Sequence, residues 1–394
     1  MRLRHFGYLV VLTIGFLPWA KGAIAQDQAS FDAIGLDAAL TLDKFAAQLA
    51  TKQVVFVGEE HTRYDHHLNQ LEIIRRLHEL DPNMAIGVEY FQQPFQQRVD
   101  DYIAGRIPEN EFLRATEYYQ RWGYDYRLYA AIFRYAQEQR IPVRALNVPT
   151  ALVSTVAKVG IAGLSEKQRA YLPQDIEPAG EAYKNRLRNA FEAHPGLKPD
   201  AFDRFVEAQL VWDEGMAESA AAYLNANKSR RLVILAGSGH VAFGSGIPKR
   251  LERRTNATYA IVLSSGEEVE PRMADYLLLS KEQELPPAGV LGVSLAESGG
   301  QCRIEALSPG GAAEKAGLNK GDVLVAIDAQ TIKTIADVHL ALWDKKPGDK
   351  VRVEVGREHR LRTITKLGLE VELATSRKAA GKVSESRKLA GPEF

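Results

Sequence analysis

Four consecutive apolar β-formers, Val54 to Val57, run straight into Gly58-Glu59-Glu60-His61, and a helical stretch follows at once. A buried strand that ends in clustered ionisable groups constrains the chain more than any other stretch. In open α/β sheets ligands gather beyond the carboxyl ends of the strands, so Glu59, Glu60 and His61 are placed for chemistry as well as suited to it. Gly58 is expected to permit a sharp turn there. On the helix that follows, a turn of about 100° per residue puts His67 on the same face as Leu71 and Ile74, with His66 and Gln70 to the side.

Further apolar runs follow at Met84 to Val88, ending in Glu89; at Val143 to Leu146, ending in Asn147; and at Arg231 to Leu235, leading to Gly237-Ser238-Gly239-His240. Amphipathic helical stretches of crossover length separate them, which predicts an α/β fold: a mostly parallel sheet covered by helices on both faces. Tyr259 to Leu263 and Tyr276 to Leu279 are expected to complete its edge. The stretch from Thr150 to Asn227 is too long for a simple crossover and reads as a helical insertion over the strand ends. Within it, Asp213 shares a helix face with Gln209, Met216, Ala217 and Ala220. Aromatic residues crowd between Tyr118 and Tyr135, where packing on the sheet and contact with a flat ligand are both open.

Gly-x-x-His occurs twice after an apolar strand, at His61 and His240. On neighbouring parallel strands the two imidazoles converge on one cleft, within reach of Glu59 and Glu89. Such a set can hold a divalent metal with an open position for water. Without a metal, His61 can act as general base, oriented by a carboxylate. His61, His240, Glu59 and Glu89 are therefore candidate catalytic residues and candidate metal ligands at once.

The chain has 394 residues, with 50 basic and 50 acidic side chains, so bulk charge recommends neither nucleic acid nor a membrane surface as partner. Arg2 and Arg4 precede an apolar run from Phe6 to Ala20, and Ala23-Ile24-Ala25 offers a cleavage site, so residues 1–25 are expected to be a signal peptide. The expected product is exported and periplasmic. With Cys302 as its single cysteine, it carries neither a lipobox nor an internal disulfide.

Gly58 to His61, His66-His67, Gln70, Gly87-Val88-Glu89, the Trp122 to Tyr129 aromatics, Asn147-Val148-Pro149, Asp213 to Ala217 and Gly237 to Pro248 together resemble the ChaN family, related to TIKI, TraB and erythromycin-esterase-like proteins. The resemblance implies haem binding in iron uptake, with haem held in a homodimer and a tyrosine as iron ligand. Tyr183 is the candidate ligand, with Arg186 for the propionates and His67 as a further haem contact. The TIKI and esterase relatives imply the alternative of a hydrolase, metal- or histidine-dependent, built on His61, Glu59, Glu89 and His240.

Pro286-Pro287 opens a different pattern, with alternating apolar residues and glycine-rich turns. Leu291-Gly292-Val293 followed by Ser308 to Ile332 resembles a bacterial PDZ domain, a small β-rich module. The resemblance implies that Leu291, Gly292 and Val293 receive the C-terminus of a peptide or protein partner. The expected domains are 26–285 for the ChaN-like unit and 286–368 for the PDZ-like unit, with 369–394 a disordered tail.

Overall fold

Alternation along buried strands sets the two faces of the main sheet. The computed structural model describes residues 31–35, 38–192, 198–264, 270–358 and 364–376. The expected signal peptide and the tail beyond residue 376 lie outside the described residues. Strands β1 (Phe31–Gly35), β2 (Ala38–Leu40), β3 (Val54–Glu59), β4 (Met84–Gln92), β5 (Val143–Asn147), β6 (Arg231–Gly237), β7 (Tyr259–Ser264) and β8 (Tyr276–Ser280) form one sheet in the order β2-β1-β8-β7-β3-β6-β4-β5. The six from β8 to β5 are parallel. Each residue of β3 and β4 is buried, as a sheet covered on both faces requires.

Val55, Val57, Ile86, Val88, Val233 and Leu235 point to one face, and Val54, Phe56, Ala85, Leu232, Ile234 and Ala236 to the other. On the first face lie α1 (Leu42–Leu49), α2 (Tyr64–Leu80) and a group from the β4–β5 connection: α3 (Gln96–Ile103), α4 (Glu109–Ala115), α5 (Tyr118–Arg121) and α6 (Ala130–Glu138). The helical insertion consists of α7 (Thr150–Val159), α8 (Glu166–Arg169), α9 (Glu181–Glu192) and α10 (Phe202–Ala226). The last packs on the second face together with α12 (Ile247–Arg254), while α11 (Ser238–Val241) directly follows β6.

Three local expectations are corrected. Gly58 is not a turn residue but lies inside β3, and its requirement comes from close packing: a Cβ there would meet Leu263 Cδ2 at 2.4 Å and Val241 Cγ2 at 2.7 Å. Glu59 and Glu89 likewise sit within strands rather than after them. The edge beside β8 is formed by β1 and β2, which run antiparallel and precede the first strand recognised in the sequence.

The second unit comprises β9 (Gly289–Val290), β10 (Val293–Ser298), β11 (Gln301–Leu307), α13 (Ala312–Lys315), β12 (Val323–Ile327), β13 (Gln330–Thr331), α14 (Ile335–Leu342), β14 (Lys350–Glu358), β15 (Ile364–Glu372) and β16 (Ala374–Thr375). Its main sheet is antiparallel in the order β10-β11-β12-β14-β15. Thr334 and Asp337 form a capping box that fixes the start of α14. The unit reaches past residue 368: β15 pairs with β14 up to Glu372, and β16 pairs with β9. Residues 369–372 and 374–375, expected within the tail, are therefore strand.

Candidate functional site

The two Gly-x-x-His segments meet because β3 and β6 are adjacent and in register, with Gly58 opposite Ala236 and Glu59 opposite Gly237. β4 flanks β6 on the other side and brings Glu89 to the same end. His61, His240, Glu59 and Glu89 thus converge as the sequence suggested. They form two linked pairs.

In the first pair His61 Nδ1 lies 2.5 Å from Glu59 Oε1, and Glu59 is buried. Trp122 and Tyr124 flank the imidazole with centroids at 4.8 and 4.9 Å. Behind it, His67 Nε2 donates to the His61 carbonyl at 3.2 Å and Tyr129 Oη donates to the same carbonyl at 3.4 Å. The His61 side chain remains 26% exposed. Burial alone would lower its pKa, but the Glu59 charge and hydrogen bond, helped by Glu89, carry it above the ordinary value.

Gly237 makes room for this ring: a Cβ at that position would stand 2.9 Å from His61 Cε1 and 3.3 Å from Nε2. Gly237→Ala is therefore expected to displace the imidazole from Glu59 while leaving the sheet folded. The check is the His61 ring resonance by NMR, which should move by more than any other histidine signal.

The second pair is deeper. His240 Nδ1 lies 2.6 Å from Asp213 Oδ1 and its Nε2 lies 3.3 Å from Glu89 Oε1. Glu89 Oε2 accepts from the Gly237 N–H at 2.7 Å, and Asp213 Oδ2 accepts from the Tyr183 hydroxyl at 2.6 Å. Burial would raise Glu89, yet the charge and hydrogen bond of His240 hold it at about 2. Burial would lower His240, yet Glu89 and Asp213 raise it to about 10. The pair is ionic at neutral pH.

Two of the expected haem contacts lie inside the protein. Tyr183 is 5% exposed, with its hydroxyl on Asp213 and Arg250 over its ring at 4.7 Å, so the phenol oxygen faces inward and offers no open face to an iron. His67 is 1% exposed and packs against the Tyr129 ring at 4.4 Å, so it supports His61 rather than a ligand. His66, placed to the side by the helical reading, is fully buried; its Nδ1 accepts from the Glu60 N–H at 3.1 Å, and burial lowers its pKa to about 4. Arg186 remains a candidate: Nη1 donates to the Gly239 carbonyl, while Nε and Nη2 are buried without a hydrogen-bond partner.

A divalent metal is not supported. Among the described residues no group of three or more His, Cys, Asp or Glu side chains is disposed to hold one. The physical reason is that His61 Nδ1 and both His240 nitrogens already face carboxylates. Sequence reasoning also missed partners. Asp213 was recognised on its helix face but not as the anchor of His240, and Glu214, beside it, is fully buried and meets Arg250, Arg253 and Arg254 at 3.2, 3.0 and 2.6 Å. The signal available was the adjacent acid pair facing an Arg-rich helix.

The family described as haem-binding uptake, Tiki superfamily, ChaN matches residues 45–251. The chain belongs to the ChaN family. Its structure is similar to that of ChaN from Campylobacter jejuni, solved with cofacial haem, with a TM-score of 0.54 at 18% identity, covering 64% of this chain and 97% of that one. A PDZ model matches residues 289–366 of this ChaN-family chain. That region is similar to the PDZ domain of a carboxy-terminal protease from Vibrio cholerae, solved with a peptide (TM-score 0.21, 19% identity, 23% of this chain and 99% of that one). The curated protein RETICULATA-RELATED 5, chloroplastic, of Arabidopsis thaliana is 27% identical over 274 residues, 63% of this chain. The chain spans about a third of that relative's length, 35%.

Proposed function

We propose that this chain is an exported haem-binding protein of iron uptake, acting as a homodimer that holds haem between protomers. The observation that carries the reading within the ChaN family is Arg186, whose Nε and Nη2 are buried with no hydrogen-bond partner. A guanidinium that is anchored through Nη1 on the Gly239 carbonyl and keeps two buried donors unpaired fits an anionic group such as a haem propionate. The iron ligand moves from Tyr183 to Tyr171, which lies on the same helical insertion and is 60% exposed. Haem supplies iron-centred ligation; the protein holds and orients it.

The test is a haem titration of the full chain, followed by absorbance. Wild type should saturate with a discrete Soret band, Arg186→Ala should bind about tenfold more weakly, as loss of one charged hydrogen-bonding partner implies, and Tyr171→Phe should shift the band. Tyr183→Phe should leave the band in place. A wild type without stoichiometric binding sinks the proposal.

A second reading, hydrolysis, is favoured by the partly exposed His61 with its Nδ1 on buried Glu59. In it, Glu59 holds the Nδ1 proton, and Nε2 takes a proton from water as that water attacks an ester or amide carbonyl. His61→Ala should lower turnover of a generic ester roughly 10²- to 10⁴-fold. Because the His61 pKa is raised, the neutral base is depleted at acid pH, and turnover should climb as pH rises through that raised value. A flat profile, or full activity in the variant, excludes this role.

A further inference from the structure

The peptide groove of the second unit is not built by that unit alone. It is a cavity of about 770 Å³ lined by Val293 and Leu295 on one side, Val338 and Leu342 on the other, and Tyr119 and Arg127 from the first unit. β10 is the edge strand of its sheet, so one side has no strand partner among the described strands and can accept an added strand. The opposite wall is α14. Val338 packs in the core of the second unit, whereas Leu340, about 200° further round the helix at 100° per residue, is buried in the core of the first.

Both units therefore hold this wall. Trp343 lies against Tyr126 with ring centroids 5.3 Å apart, and His339 stacks on Tyr119 at 5.5 Å with 22° between planes. Arg127 Nη1 donates to the Pro286 carbonyl at 2.7 Å, tying the first unit to the chain just before β9. The width of a PDZ-type groove is the distance between its edge strand and this helix. Here that helix is packed on the first unit through His339, Leu340 and Trp343.

The same segment reaches the candidate site. Tyr119 lies on the single turn of α5, and three residues later Trp122 stands edge-on to His61 at 4.8 Å. Trp122 Nε1 also donates to Tyr129 Oη at 3.1 Å, and that hydroxyl donates to the His61 carbonyl. A short, packed route thus joins groove and imidazole.

We propose that the groove is a two-unit site for a segment ending in a free carboxylate and an apolar side chain, and that its occupancy is transmitted through Tyr119 and Trp122 to His61. The apolar lining and the unpaired edge select such a segment over a charged or folded partner. The inference rests on peptide reading by the PDZ-type unit, and the experiment separates the two.

Labelled decapeptides ending in Ala, Val, Leu or Phe are titrated into the full chain, as free acids and as C-terminal amides, with the His61 ring signal followed by NMR. At least one acid should bind, with its amide tenfold or more weaker. Tyr119→Leu and Arg127→Gln should each weaken the acid about tenfold, as loss of a central contact does, while Lys350→Ala, on β14 and three strands from β10, should not. The His61 signal should move with the acid and not with the amide. Unchanged affinity in both first-unit variants overturns the two-unit site, and a His61 signal that stays still in saturated wild type overturns the transmission; either result leaves peptide reading intact. If no peptide binds, or acid and amide bind alike, peptide reading itself fails and the proposal with it.

Discussion

His240→Ala is expected to cost about 3–5 kcal/mol of folding stability, the usual cost of removing one partner from a buried ion pair. The reason is visible in what remains: Glu89 at 5% exposure and Asp213 at 1% would be left as buried acids with no cation between them. Urea denaturation reports it directly, and Trp212, 6.1 Å from the His240 ring, offers a local fluorescence probe. A loss under 1 kcal/mol would mean that the pair is open to solvent.

The same pair sets a pH window. His240 is raised from 6.5 to about 10 in the folded state, so its contribution is fully present below 6.5 and is lost as pH climbs through 10. Glu89 is lowered from 4.5 to about 2, so its contribution is fully present above 4.5 and is lost as pH falls through 2. Both contributions are complete between 4.5 and 6.5. Within that interval the buried His66, lowered to about 4, makes the urea midpoint fall as pH drops; on its alkaline side the midpoint should decline as well, and by less in His240→Ala, where the raised His61 alone of the two imidazoles still contributes.

Glu214→Ala is the second large effect, again about 3–5 kcal/mol. Glu214 is wholly buried and balances Arg250, itself 3% exposed, together with Arg253 and Arg254. It also accepts from the Glu177 N–H at 2.9 Å, which ties the segment before α9 to α10. Its removal strands the Arg250 guanidinium in the interior, although two carbonyls, of Ser245 and Gly246, still accept from Nη1. Thermal melting should show the loss, and Glu214→Gln should recover only part of it because the amide keeps the shape without the charge.

Much of this site was legible before any fold was known. Val54 to Val57 and Arg231 to Leu235 announce parallel strands, and the repeated Gly-x-x-His after them places two imidazoles at one sheet end; the register of β3 against β6 bears that out. Glu89 followed from the same logic. Apolar period and turn composition both change near Pro286-Pro287, shortly before the PDZ match at 289–366 begins.

Strand type, order of motifs and family are local or linear properties, and the sequence by itself determined them. Pairings over long separations are different. That Asp213 anchors His240, that Tyr183 turns inward onto Asp213, and that Gly58 yields to Val241 and Leu263 depend on where α10 and α11 cross the sheet. Helical periodicity tells which face of α10 is buried but not what lies opposite it. The shared wall at α14 has the same origin: Val338 and Leu340 are both apolar in sequence, and only the docking of the two units assigns one to each core.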